Sequence, residues 1–107
     1  EAAVAKAIAE AIGELAAWIG GKPARMDVAE LARMRIWQWQ RHGALIPDRL
    51  PELLQGEIVS LLNAHGPDGF HRGHFAASAR IFQQAVTDET PSEPLIARAY
   101  PVLNALD

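Results

Sequence analysis

The sequence predicts an all-α fold, a compact bundle of about five helices joined by short loops, and three observations carry that expectation. Half of the 107 residues are hydrophobic, and much of that half is alanine and leucine, which favour helices over strands. Apolar residues recur at three- and four-residue spacing in successive segments, with charged residues on the other side. Turns containing glycine and proline separate those segments. The length admits one helical domain over residues 1–107 with a single core. It is too short for an α/β barrel, which needs at least ~200 residues.

The first helix is read from Val4, Ile8, Ala11, Ile12, Leu15, Trp18 and Ile19, opposite Lys6, Glu10 and Glu14, and is stopped by Gly20-Gly21 and Pro23. A second is expected to open at Asp27, with Glu30 three residues on as its capping-box partner, and to run to about His42 before Gly43. Val28, Ala32, Ile36 and Trp39 form one stripe, while Leu31, Met34 and Trp37 lie outside it. Apolar surface on more than one side marks a central helix, or one that meets something beyond this domain. Asp48 and Pro51 suit the start of a third helix, buried through Leu50, Leu54, Ile58, Leu61 and Leu62 and ended by His65-Gly66-Pro67. Gly66 to Gly73 reads as a loop. Phe75, Ala79, Phe82 and Val86 form the stripe of a fourth helix, Thr87 to Pro91 a polar linker, and Ser92, Glu93 and Pro94 the start of a fifth. Leu95, Ala99, Val102 and Leu106 keep that last helix apolar on one side, with Pro101 expected to bend or interrupt it. The shared core is expected to contain Leu15, Trp18, Ile36, Trp39, Leu54, Ile58, Phe75, Phe82 and Leu103.

Composition removes several functional classes. With a net charge of −3 and no basic stretch longer than two residues, the electrostatic footprint of a nucleic-acid binder is missing. The absence of cysteine excludes disulfides, thiolate nucleophiles and cysteine metal sites, and fits a cytoplasmic setting. No apolar run is long enough for a membrane span, and no signal peptide pattern opens the chain. Its start at Glu1 fits a processed product or a domain excised from a longer protein.

Few residues offer chemistry. His71 and His74, separated by two residues beside a glycine-rich loop, lack further ligands, so they read as exposed loop histidines and no metal site is expected. His42 and His65 fall in last turns, where an imidazolium interacts well with the helix dipole. Asp27 is the carboxylate with two readings, a helix cap favoured by Glu30 or a catalytic base in a pocket formed with another domain. Trp37, with Glu30, Arg33 and Arg41 as helical neighbours, has two readings, a tryptophan that contacts a partner with Arg33 and Arg41 flanking it, or an ordinary half-buried one.

The stretch Ala29-Glu30-Leu31-Ala32-Arg33-Met34-Arg35-Ile36-Trp37-Gln38-Trp39, followed by His42-Gly43, resembles the malate synthase segment Ala-Glu-Ile-Ser-Arg, two variable residues, Ile-Trp-Gln-Trp and a later His-Gly. Gly73-His74-Phe75 through Ile81-Phe82 to Val86 is similar to that family's Gly-Arg-Phe-Asp-Glu-Ala-Ala-Glu-Leu-Phe segment in the same register. Ala17-Trp18-Ile19 and Ala99-Tyr100 match less specific landmarks in the right order. The resemblance covers nearly the whole chain and implies the family's C-terminal helical domain.

Malate synthases condense the acetyl group of acetyl-CoA with glyoxylate and hydrolyse the thioester, using magnesium in a TIM barrel. Their C-terminal domain closes over the barrel and contributes an aspartate base. The resemblance therefore implies a lid or accessory that holds no cofactor itself, with magnesium and acetyl-CoA reaching it only through a partner barrel, in the same chain or in trans. Alone it is expected to be inactive. The alternative is a non-catalytic docking module on the same fold, and a third possibility is the severed end of a genuine malate synthase. The family aspartate lies in Met-Glu-Asp-Ala-Ala-Thr-Ala-Glu-Ile-Ser-Arg. Aligned without gaps from Glu30, its position holds Arg25; with a deletion, Met26-Asp27 becomes the remnant and Asp27 the base.

Overall fold

The computed structural model describes residues 2–45, 47–87 and 93–105. They form five α-helices, α1 (Ala2–Ile19), α2 (Met26–Arg41), α3 (Leu50–Arg72), α4 (Phe75–Thr87) and α5 (Leu95–Ala105), with a 3₁₀ turn at Pro47–Arg49 and no strand among the described residues. The expected all-α bundle is what the chain adopts. Its radius of gyration of 13.1 Å matches the ~13 Å of a compact chain of this length.

α1 buries Val4, Ile8, Ala11, Ile12, Leu15, Ala16 and Ile19, the stripe that the helical spacing predicts. Its end is a Schellman motif. Lys22 N–H donates to the Ala17 carbonyl at 2.9 Å and Gly21 N–H to that of Trp18 at 3.1 Å, with Gly21 at φ +73°, a conformation glycine adopts without a Cβ penalty. The central positions belong to α1 and α4, each of which packs against all four other helices. α2 buries Ala29, Ala32, Arg33 and Ile36 and leaves Leu31 and Met34 exposed.

α3 departs from expectation. It starts beside Pro51 as the sequence indicates, but it continues to Arg72 across a break at Gly66 (φ 73°, ψ 166°). The segment after Gly66, read as a loop, is instead a further stretch of helix, because Pro67 is a suitable first residue for a new helical turn. Leu50 and Leu54 are buried, Ile58 and Leu61 are half-buried, and Leu62, expected on the buried side, is exposed.

α4 buries Ser78, Ala79, Ile81, Phe82, Ala85 and Val86. Thr87, expected to open a linker, is its last residue, and the rest of that linker, with Ser92 and Leu106, lies outside the described residues. α5 continues across Pro101, whose missing N–H leaves one helical acceptor without its usual donor. The core joins all five helices through Leu15, Ile36, Leu54, Phe82 and Leu95, and Trp18, Trp39, Ile58 and Phe75 are half-buried against it. Leu103 is half-buried, but Val102 is the α5 residue beyond Pro101 that packs on this cluster.

Candidate functional site

The short α1–α2 turn and the first half of α2 hold most of the residues singled out from the sequence. Asp27 is exposed in the first turn of α2, and it is not the cap: the cap position is Arg25, which makes no side-chain capping bond. The Arg25 carbonyl accepts from Val28 N–H at 3.1 Å and from Ala29 N–H at 3.4 Å, so Asp27 is the second helical residue and Glu30 stands too far along to close a capping box. Glu14 of α1 supplies that part instead. Its Oε1 accepts Arg25 N–H at 2.8 Å, and its Oε2 lies 3.7 Å from Arg25 Nε. Asp27 is left to interact with the positive end of the α2 dipole.

Glu30, released from capping, accepts Leu95 N–H on Oε2 at 2.8 Å, across 65 residues of sequence. Its other oxygen lies 3.1 Å from Arg33 Nε. Arg33 is only 5% exposed, and its Nη1 donates to the Glu93 carbonyl. The expectation that Arg33 faces a partner is corrected on this ground: the guanidinium is turned inward, where it joins the segment before α5 to α2. A charge this buried requires a counter-charge and hydrogen bonds, and Glu30 and Glu93 provide them. Trp37 and Arg41 do come together, the Arg41 guanidinium carbon standing 5.2 Å from the centroid of the half-buried Trp37 ring as in a cation–π contact. Asp27 is ten residues from Trp37 on one helix, ~15 Å along the axis, so the two are separate features.

Among the described residues no three His, Cys, Asp or Glu side chains converge on a common point, so the magnesium implied by the resemblance finds no ligand set in them. His71 is exposed on the last turn of α3, whereas His74, read as an exposed loop residue, is half-buried. No described helix is long and apolar enough to cross a membrane.

Sequence reasoning missed the Glu30–Arg33 clasp on α5 and the bond from Gln40 Nε2 to the Val86 carbonyl at 3.2 Å.

These features define an all-α domain with one exposed acidic residue at the head of α2, an aromatic–cationic patch further along it and no convergent metal ligands among the described residues. No family model matches the chain, and no solved structure matches it. The chain is similar to the glyoxysomal malate synthase of Zea mays, 29% identical over 109 residues that cover 85% of this chain and 20% of that protein. It is also similar to a malate synthase of Oryza sativa subsp. japonica, 27% identical over 107 residues covering 83% of this chain and 19% of that protein. The chain is thus malate synthase-like over most of its length, and it spans about a fifth of the length of these curated relatives.

Proposed function

We propose that this chain is the helical lid or accessory of a malate synthase-type site. In this reading it works with a separate catalytic domain or protein, in the same chain or in trans, on the condensation of acetyl-CoA with glyoxylate. The observation that carries the proposal is the proportion of the match: more than four-fifths of this chain corresponds to about one-fifth of two malate synthases. The chemistry needs an electrophile polarised by a metal, a carboxylate base and cationic groups around the developing enolate. Asp27 is the residue of this chain assigned to that base. It is exposed at the head of α2, so a barrel seated over the α1–α2 turn can reach it. Magnesium and acetyl-CoA belong to the partner. The cysteine-free composition keeps a cytoplasmic setting in the proposal, while the name of the maize relative makes an organelle the other place to look.

Two assays test this reading. The purified 107-residue chain is expected to give no condensation of acetyl-CoA with glyoxylate in the presence of magnesium, and turnover above background overturns its accessory status. In a complex with the partner barrel, Asp27→Asn is expected to abolish turnover with folding and binding intact, because an amide cannot take up a proton. Unchanged turnover removes Asp27 from the chemistry.

The second reading, a docking module, is favoured by exposed Leu31 and Met34 on the helix that carries Trp37 and Arg41. Trp37→Ala is then expected to weaken partner binding by more than about 1 kcal/mol with little change in melting temperature.

A further inference from the structure

A cavity of about 490 Å³ opens where the end of α1, the α1–α2 turn, the end of α3 and the start of α4 meet. Its size falls within the ~300–1,000 Å³ typical of small-molecule sites. Its lining contains Lys22, Arg72, His65 and His74 and no acidic side chain. In a chain of net charge −3, two cationic side chains and two histidines around one opening, with no carboxylate in the lining, are a local inversion of charge. From these observations we propose that this cavity binds a small oxyanion, a carboxylate or a phosphate, carried on a ligand with an apolar flank. The inference does not require the malate synthase reading and makes no use of Asp27.

Three structural features shape the cavity around these charges. α1 presents small residues to the cavity, Gly13, Ala16, Ala17 and Gly20, so its wall there leaves room for a ligand. His74 sits at φ 61°, a left-handed conformation uncommon outside glycine and most often found where a site requires it. That conformation brings the imidazole against α1, since a Cβ built on Gly20 would stand 3.5 Å from His74 Cδ2. His74 also leads into α4: its carbonyl accepts Ser78 N–H at 3.1 Å and Ser78 Oγ at 2.8 Å, which fixes it at the junction of α3 and α4 where the cavity opens.

The apolar flank follows from the opposite wall. The Phe75 ring stacks on His65 at 4.6 Å between centroids with the planes 28° apart, and on Phe70 at 5.9 Å. Gly73 is required for that wall, because a Cβ there would meet the Phe75 ring at 2.5 Å. An oxyanion held by Lys22 and Arg72 would place its substituent beside this aromatic surface.

The test titrates the 107-residue chain with inorganic phosphate, phenyl phosphate and benzoate at low ionic strength, following backbone amide and histidine ring resonances by NMR. Saturable shifts confined to Gly20, Lys22, His65, Gly73 and His74 are expected. The aromatic ligand should bind about threefold or more tightly than inorganic phosphate, as a stacked ring contributes. The order of phenyl phosphate and benzoate distinguishes a phosphate from a carboxylate ligand, and either order supports the site. Both charged groups are exposed, so the double variant Lys22→Gln, Arg72→Gln should fold with an unchanged melting temperature. It should weaken binding about tenfold by removing two charged partners. Lys6→Gln, which alters a separate groove between α1 and α2, should leave affinity unchanged. Failure of all three anions to produce saturable shifts overturns the proposal, and so do shifts that persist unaltered in the double variant.

Discussion

α1 and α3 are the longest helices of the fold, at 18 and 23 residues, and the bundle uses them in opposite ways. α1 is buried along its whole length from Val4 to Ile19. α3 is buried only through Leu50 and Leu54, near its start, and further along leaves Val59 44% and Leu62 38% exposed. The difference lies in the sequence. The apolar residues of α1 keep to one face along the whole helix, whereas the stripe of α3 is interrupted by Gly56 and stops before the break at Gly66. A helix with one continuous stripe becomes the axis on which others pack. A helix without one serves as a strut, and α3 carries His65, Gly69 and Arg72 to the end of α1, where they line the cavity.

The largest loss of stability is expected where α4 meets the core beside α1. Phe82→Ala, at a fully buried ring, is expected to cost about 3–5 kcal/mol in denaturant unfolding, and a loss below ~1 kcal/mol would show that the α4 stripe faces outward. Next comes the break in α3. Gly66→Ala should cost about 1–3 kcal/mol although nothing lies within 4 Å of the added Cβ, because the φ/ψ pair at this position is essentially restricted to glycine. A neutral result would mean that the segment beyond it re-forms as continuous helix, which the far-ultraviolet circular dichroism of the variant would register. On the outward side of the strut, Leu62→Ala should cost less than about 1 kcal/mol, since its side chain loses little burial. An effect as large as that of Phe82→Ala would show that α3 is covered after all.

The smallest effect is expected at Asp27. With the cap position at Arg25, both Asp27→Asn and Asp27→Ala remove only a charge near the dipole, on the order of 0.3–1 kcal/mol, and the two should be alike. A harmless asparagine beside a costly alanine, read by thermal unfolding, would restore the capping assignment.

Much of the fold was legible because it is local. The stripe of α1, its Gly20-Gly21 stop and the burial of Phe82 all follow from residues within a few turns of one another. What escaped is non-local. The head of α2 was shifted because its supporting carboxylate, Glu14, belongs to another helix, and a capping box written in the sequence at Asp27 and Glu30 gave way to it. The loop reading of Gly66 to Gly73 overweighted its glycines and underweighted Pro67 as a helix opener. Arg33 was assigned to a partner because its counterparts, Glu93 and the Glu30–Leu95 bond, lie some sixty residues away in sequence or depend on that fold. For the same reason no local pattern marks the basic cavity: Lys22, His65, Arg72 and His74 meet only when three helix ends converge.

The Glu30–Arg33 clasp also bears on the order of events while the chain is being made. Synthesis delivers α1 and α2 first, and their short turn allows them to pair early, since closing a short loop is entropically cheap. The acceptor of Arg33 and the amide that binds Glu30 belong to residues 93 and 95, so during most of translation this pair stays hydrated. Seating of α5 is therefore the step that withdraws the two charges from water. A chain stalled or cleaved before residue 93 would keep a hairpin of α1 and α2 bearing an acid and a base on the face meant for the last helix, a polar surface that opposes indiscriminate association until its proper cover arrives.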